Sequence, residues 1–250
     1  MKKNNYKKAA MEKYRILCNI IETYNKEGVK CISITSNSET EGKTIIAKNL
    51  AMSLAKHGKK VLFIDCSLPD MVKVKNINGG KTNGLIAMLQ VIYNEKTEGG
   101  NSRNINDAQL INYTIDSQRE NISTLSLGVN SLENYNLVFK TEYLRTIMEY
   151  LKKYYDYLII DAPSFINLSY TQIVTAATDG CLFVLKEGSN EINEGSEIKD
   201  KIATIKCKVL GCIFNKGNDR NELFEGTNNS FSNVKYKARK VELRKSKAIV

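Results

Sequence analysis

The stretch SNSETEGKT (residues 36–44) decides the fold, because it has the features of a phosphate-binding loop. The apolar run CISIT (31–35) precedes it, and the amphipathic segment IIAKNLAMSLAKHG (45–58) follows it. In such a loop, backbone N–H groups and the N-terminus of the next helix surround the phosphates, while a lysine and a hydroxyl complete the site. Gly42-Lys43-Thr44 supplies those two side chains. The order strand, loop, helix therefore predicts a nucleotide site.

Short apolar runs recur along the rest of the chain, and helical patterns fill most of the gaps between them. Near-continuous apolar runs are typical of strands buried on both faces, which build parallel sheets. Strand alternating with helix predicts a doubly wound, mostly parallel α/β sheet flanked by helices. We expect strands at 31–35, 61–65, 122–127, 157–161, 181–185 and 209–214, helices at 8–23, 44–57, 140–154, 168–177 and 191–205, and a polar excursion at 94–121.

Two aspartates end apolar runs that follow the loop, Asp65 after VLFI and Asp161 after YLII. Ligands bind at the carboxyl ends of the strands in open α/β sheets, so both carboxylates are expected beside the phosphates. The Mg²⁺ that accompanies a nucleotide is held by a carboxylate as well as by the loop hydroxyl. Either aspartate alone could cap a helix instead. Together, at two strand tips after a phosphate loop, they favour a metal-binding role.

The basic charge of the chain lies at its two ends. The net charge is +10, of which residues 1–16 carry +5 and residues 235–250 carry +6, so the body is close to neutral. A neutral body argues against a nucleic-acid groove. The basic ends could contact anionic lipid weakly, or they could be solvated tails. No run approaches the roughly 20 apolar residues that cross a bilayer, and no signal peptide is evident, so we expect a cytoplasmic protein.

The chain is expected to form a single domain with extensions. Residues 1–29 form an N-terminal helix, residues 30–216 form the P-loop domain, and residues 217–250 form a basic, flexible tail. None of the six cysteines belongs to a Cys-x-x-Cys pair. We therefore expect reduced, mostly buried thiols and no metal or disulfide role for them.

The order of motifs resembles the bacterial tyrosine kinases of capsule and exopolysaccharide synthesis, which belong to the ParA/MinD-like ATPases with a deviant P-loop. The family loop runs Thr-Ser-x-x-Pro-Gly-Glu-Gly-Lys-Ser/Thr. This chain keeps Thr35, Ser36, Glu41, Gly42, Lys43 and Thr44 of that pattern. Further matches, within a resemblance that covers roughly residues 10–216, are AKNLA (47–51), GKKVLFIDCSLPD (58–70), YYDYLIIDAPS (154–164), TDGCLFVLK (178–186) and VLGCIFN (209–215).

This resemblance implies γ-phosphoryl transfer from Mg-ATP to a tyrosine hydroxyl, chemistry in which the protein mainly positions groups and neutralises charge. Lys43 and Thr44 would bind phosphate and Mg²⁺, and Asp161 would be the Walker B metal ligand. Asp65 would support the metal and assist deprotonation of the attacking tyrosine. Asn215 would lie near the adenine. The residues implied to contact the nucleotide along the loop are Ser38, Glu39, Thr40, Glu41, Gly42, Lys43, Thr44 and Ile45.

The resemblance also implies partners and a place in the cell. Family members work with a membrane-embedded polysaccharide co-polymerase, whose cytoplasmic tail completes the active site at the inner face of the membrane. They assemble into rings through an N-terminal Glu-x-x-Arg-x-x-Arg motif, present here in part as Glu12-x-x-Arg15-x-x-Cys18. Their tails carry a tyrosine cluster that a neighbouring subunit phosphorylates. Here Tyr236 is the only tyrosine beyond residue 216 and is the candidate phosphoacceptor.

Several departures from the family pattern lie at positions that would take part in nucleotide binding or phosphoryl transfer. The Pro-Gly of the loop is replaced by Glu39-Thr40, and Asn37 stands at the first glycine position of a P-loop. A β-branched threonine tolerates positive φ poorly, and Glu39 and Glu41 would repel a polyanion if they pointed inward. Ser67 replaces the second aspartate of the motif that contains Asp65, and Pro69 replaces its arginine; Ser164 replaces a proline, and Cys18 the last arginine of the N-terminal motif.

Three functions stay open on this basis. The first is an autokinase of polysaccharide synthesis with weakened phosphoryl transfer. The second is a non-catalytic regulatory paralogue that binds nucleotide or only its membrane partner. The third is a MinD/ParA-like positioning ATPase, but that group carries an extra lysine early in the loop, and residues 36–41 contain none.

Overall fold

A computed structural model describes residues 2–66, 84–97, 115–116, 121–128, 135–186, 200, 203–215 and 234–235. One sheet runs through its centre in the order β3-β4-β2-β5-β1-β6-β7-β8. The six strands from β4 to β7 pair in parallel, and the two-residue strands β3 and β8 pair antiparallel at the edges. The strands are β1 (Cys31–Ser36), β2 (Val61–Asp65), β3 (Ile115–Asp116), β4 (Ile122–Leu125), β5 (Tyr157–Asp161), β6 (Gly180–Lys186), β7 (Lys208–Asn215) and β8 (Val234–Lys235).

Within the described ranges, six α-helices have both ends defined. They are α1 (Lys2–Asn25), α2 (Lys43–Lys56), α3 (Leu85–Thr97), α4 (Tyr135–Val138), α5 (Thr141–Leu151) and α6 (Leu168–Ala176). None of the helices in the described ranges is long and apolar enough to cross a membrane. The predicted class, a doubly wound α/β sheet, is confirmed.

Two apolar layers cover the two faces of the sheet. On β5, Leu158 and Ile160 pack with helices α3 to α6, whereas Tyr157 and Ile159 pack with α1 and α2. Both faces of the strand are therefore buried, which explains why its sequence is a continuous apolar run. The six described cysteines are free thiols, and Cys207 and Cys212 are only partly buried.

The sequence predicts most of these elements, with shifted ends. All six parallel strands are confirmed, and α1 extends the helix predicted at 8–23 in both directions. Helix α3 was not predicted, because its segment shows no clear helical periodicity. Within 94–121 the structure adds the end of α3 and strand β3. The helix predicted at 191–205 and the tail at 217–250 lie largely outside the described residues.

Asp179 joins three elements at the amino ends of the central strands. Its Oδ2 accepts the backbone N–H groups of Lys30 and Cys31 at 2.9 and 2.8 Å. Its Oδ1 lies 2.5 Å from the Lys152 ammonium, just after α5. Asp179 itself precedes β6, so one carboxylate fixes β1, β6 and α5 at the end of the sheet opposite the predicted site.

Candidate functional site

The predicted strand, loop and helix are present around residues 36–44. Strand β1 ends at Ser36, a single 3₁₀ turn spans Glu39–Glu41, and α2 begins at Lys43. Gly42 links the turn to the helix with φ +83°. Asn121 is the only described non-glycine residue with positive φ. Thr40 therefore avoids the conformation that threonine tolerates poorly, because the turn replaces the expected Pro-Gly geometry.

The two glutamates of the loop differ in orientation. Glu39 is exposed, whereas Glu41 is buried, with only 5% of its surface accessible. The Glu41 Oε2 accepts the backbone N–H of Asn37 at 2.8 Å and that of Ser38 at 3.2 Å. One carboxylate thus points into the loop and satisfies two of its amides. The predicted repulsion of a polyanion by inward-pointing carboxylates therefore concerns Glu41 and not the exposed Glu39.

Lys43 and Thr44 form the first turn of α2, directly after the loop. Lys43 is buried with 7% of its surface accessible, which is unusual for a lysine. Its position at the start of a 14-residue helix adds the positive end of the helix dipole. Ile45, the next residue, is exposed at 40%. A buried cation beside a helix N-terminus is an arrangement that could bind phosphate.

Asp65 and Asp161 end the neighbouring strands β2 and β5. They are register partners in that parallel pair, and Asp161 is also the partner of Ile34 on β1. Asp161 therefore lies between the strand that carries Asp65 and the strand that leads into the loop. The structure brings the two predicted carboxylates together, as expected from their strand-end positions.

Asp161 is fully buried, and its pKa is raised to about 6, chiefly by that burial. The Asp65 charge raises the pKa further, while the Thr44 hydroxyl and the ammonium groups of Lys43 and Lys48 oppose the shift. Lys48 is a second nearby cation that the sequence analysis did not single out. The only signal for it was a lysine within the apolar pattern of α2.

The carboxylate of Asp161 fits a small divalent cation. Neither of its buried oxygens has a hydrogen-bond partner of good geometry among the described residues. Mg²⁺ takes oxygen ligands, commonly one or two carboxylates together with substrate phosphates and water. Within the described ranges no three or more His, Cys, Asp or Glu residues form an all-protein metal cage. Asp161, with Thr44 close by, could hold Mg²⁺ together with phosphate and water oxygens.

Asn215, the last residue of β7, reaches the loop from the other side. Its side-chain Nδ2 donates a hydrogen bond to the Glu41 carbonyl at 2.9 Å. The sequence analysis places this residue near an adenine. In the structure its amide nitrogen contacts the loop backbone.

Two threonines fix the segment after Asp161; the sequence analysis noted Thr35 only as a match to the family loop and did not single out Thr171. The Thr35 hydroxyl, at the end of β1, donates to the Pro163 carbonyl at 2.6 Å. The Thr171 hydroxyl of α6 donates to the Ser164 carbonyl at 2.7 Å and also contacts that of Pro163 at 3.2 Å. The sequence signal for such a contact was a polar residue, Thr35, at the end of an apolar strand.

The remaining predicted residues lie apart from this cluster or outside the described ranges. On α1, Arg15 pairs with Glu12 at 2.7 Å on the exposed face. Cys18 is buried in the core, so the third position of the N-terminal motif faces inward here. Ser67, Pro69 and Tyr236 are outside the described residues.

Comparison with known proteins identifies relatives over most of the chain. The tyrosine-protein kinase CpsD of Streptococcus pneumoniae serotype 4 is 28% identical over 215 residues, 86% of this chain and 88% of that protein. The tyrosine-protein kinase YwqD of Bacillus subtilis is 26% identical over 205 residues, 82% of this chain and 80% of that protein. The succinoglycan biosynthesis transport protein ExoP of Rhizobium meliloti is 27% identical over 78% of this chain, which is 23% of its own length.

Solved structures share the fold. The chimerical protein CapA2B2 superposes with a TM-score of 0.63 at 23% identity, covering 83% of this chain and 85% of that chain. The septum site-determining protein MinD of Pyrococcus horikoshii, solved with Mg-ADP, gives 0.50 at 19% identity, covering 73% and 68%. A family model described as AAA domain matches residues 29–210. Since that match spans well over half of the 250 residues, the chain belongs to the AAA domain family and has the fold of a P-loop NTPase.

Proposed function

We propose that this chain is an ATP-dependent protein-tyrosine kinase of bacterial capsular or extracellular polysaccharide synthesis, and that it phosphorylates itself. The observation that carries the proposal is the position of Asp161. Its buried carboxylate, whose oxygens have no hydrogen-bond partner of good geometry among the described residues, lies between the phosphate loop and Asp65. This is the arrangement that a Mg-nucleotide would complete. The relatives CpsD and YwqD, which carry the name tyrosine-protein kinase, support this reaction.

The side chains divide the chemistry among them. Lys43 holds the β- and γ-phosphates, and the loop from Ser38 to Ile45 surrounds them. Thr44 and Asp161 hold Mg²⁺, which neutralises charge on the phosphate oxygens when it is bound. Asp65 accepts the phenolic proton as the tyrosine oxygen forms its bond to the γ-phosphorus and the bond to the leaving ADP breaks. Asn215 is the residue expected nearest the nucleotide base.

The partners follow the same proposal. ExoP is more than four times as long as the region that matches this chain, and its name describes a biosynthesis transport protein. We expect this chain to act at the inner face of the membrane with a membrane-embedded co-polymerase, whose cytoplasmic tail completes the site. We also expect self-association into a ring, with Tyr236 as the acceptor on a neighbouring subunit. Its basic ends would add weak contact with anionic lipid.

A second candidate is a regulatory paralogue that binds nucleotide without transferring phosphate. The replacement of an aspartate by Ser67 favours it, because loss of one preorganised charge at a phosphoryl-transfer site costs on the order of 10² to 10³ in rate. A positioning ATPase is less well supported, since residues 36–41 lack the lysine of that group.

One experiment separates the first two functions. The purified chain is incubated with Mg-ATP, alone and with the cytoplasmic tail of its co-polymerase, and phosphotyrosine is located by mass spectrometry. The proposal expects modification at Tyr236 that Lys43→Ala abolishes and Tyr236→Phe removes. Intact ATP binding without any phosphotyrosine would assign the regulatory function instead.

A further inference from the structure

The end of β7 holds the phosphate loop through one side chain. Asn215 Nδ2 lies 2.9 Å from the Glu41 carbonyl oxygen, across 174 residues of sequence. A carbonyl accepts hydrogen bonds only, so the NH₂ group of the amide must face it. One of the two N–H donors of the Asn215 amide is therefore used by the loop itself.

Gly42 makes this close approach possible. A Cβ at position 42 would lie 2.4 Å from Asn215 Nδ2, far inside contact distance. Its φ of +83° is also one that L-residues with side chains rarely adopt. Both the space and the conformation at this position thus depend on the absence of a side chain.

Glu41 is consequently held at both of its polar ends. Its carboxylate binds the amides of Asn37 and Ser38, at the start of the loop, and its carbonyl binds Asn215. In a trans peptide the C=O and the following N–H point in opposite directions, so a fixed Glu41 carbonyl fixes the direction of the Gly42 N–H. Backbone N–H groups of such a loop are the phosphate ligands.

We propose that Asn215 is a positioning residue that sets the conformation of the phosphate loop and thereby its affinity for phosphates, independently of any contact with the base. This inference rests on the proposed nucleotide binding. It assigns to β7, one of the two outermost parallel strands of the described sheet, an effect on the loop that follows the central strand β1. The amide of Asn215 acts by holding the Glu41–Gly42 peptide.

A ligand without a base tests this inference directly. Binding of Mg-ADP and of Mg-tripolyphosphate is measured by calorimetry for the wild-type chain, Asn215→Ala and Asn215→Asp. Asn94→Ala is the matched control, because Asn94 is an exposed asparagine on α3. We expect both Asn215 variants to weaken both ligands by about tenfold, as for loss of one hydrogen bond that orders the site, and the control to bind as the wild type does.

Hydrogen exchange of the ligand-free proteins supplies a local readout. The amides of residues 37–44 should exchange faster in Asn215→Ala, while those of β5 keep their wild-type rates. Weaker Mg-ADP binding with unchanged tripolyphosphate binding would overturn the inference in favour of a base contact alone. Unchanged affinity for both ligands would overturn it outright. Absence of binding in the wild type would instead count against the proposed function.

Discussion

Asp65 and Asp161 are register partners at the carboxyl ends of the parallel strands β2 and β5, and they differ in environment. Asp161 is fully buried, while Asp65 is partly exposed. Neighbouring strands lie about 4.8 Å apart, so the two charges interact closely. The buried member of such a pair is the harder to ionise, as the raised pKa of Asp161 indicates. A metal ion beside Asp161 would offset both the cost of burying its negative charge and the repulsion from Asp65.

This environment predicts an unusual pH dependence for the ligand-free protein. Because the pKa of Asp161 is about 6 in the folded state and 3.8 ordinarily, the folded state binds more protons between these values. The contribution of Asp161 to stability therefore falls as pH rises from about 4 to about 6, by up to about 3 kcal/mol. Asp161→Asn should remove that contribution.

The measurement is urea unfolding of wild type and Asp161→Asn at pH 4.5 and pH 7, with chelator present. The variant should be the more stable protein at pH 7, and the difference should shrink at pH 4.5. An equal difference in the free energy of unfolding at both pH values would show that Asp161 is not held in an unfavourable charged state.

Removal of the same carboxylate should abolish the metal dependence of nucleotide binding. We expect Mg²⁺ to increase ADP affinity in the wild type and to have little effect in Asp161→Asn, because the loop hydroxyl alone binds the ion weakly. Calorimetry with Mg²⁺ and with chelator gives both affinities. Full Mg²⁺ dependence in the variant would place the metal elsewhere.

Lys43→Ala should remove most of the nucleotide affinity, by a factor of at least about 100, because in the proposed site Lys43 is the buried cation that binds the phosphates. Lys56→Ala, at the exposed far end of the same helix, is the matched control and should bind nucleotide normally. Equal affinities of the two variants for Mg-ADP would exclude the loop as the phosphate site.

Gly42→Ala should destabilise the fold more than Gly28→Ala does. Both residues have positive φ, +83° and +87°, but an added Cβ at Gly28 meets nothing within 4 Å. Gly28→Ala therefore measures the conformational cost alone, about 1 kcal/mol, and the excess at Gly42 measures the clash with Asn215. In the double variant with Asn215→Ala that excess should vanish. A purely additive double variant would mean that the two residues do not touch.

Asp179→Asn should lower the free energy of unfolding by about 2 kcal/mol, since two backbone N–H groups lose a charged acceptor and Lys152 keeps only one of its two ionic partners, Glu149. Nucleotide affinity should be unchanged, because this contact lies at the opposite end of the sheet. Urea unfolding and Mg-ADP calorimetry test both expectations. A loss of affinity at unchanged stability would contradict this structural role.

The sequence predicts the framework of the site because its signals are local. The loop stands between a strand and a helix, and Asp65 and Asp161 each end an apolar run whose place in a parallel sheet is predictable. Helix α3 escaped prediction because its first five residues, Leu85 to Leu89, are all buried, so this part of the helix shows no polar face that would reveal a helical period.

The contacts that hold the loop could not be predicted in the same way. The partner of the Glu41 carbonyl lies 174 residues away in the sequence, at Asn215, and no local pattern relates them. The departure at Thr40 was expected to strain the loop, because the family has glycine there. A 3₁₀ turn at Glu39–Glu41 accommodates the threonine without positive φ, and such a change of turn type depends on the whole loop.

The conformation of Gly42 bears on how nucleotide loops are searched for in genomes. Within residues 36–44, the left-handed conformation occurs at Gly42 alone. A search pattern that demands glycine at the first loop position, or Pro-Gly in the middle, would discard this chain. The features of this loop are fewer: one glycine directly before the lysine, and a carboxylate that accepts hydrogen bonds from the backbone amides at the start of the loop.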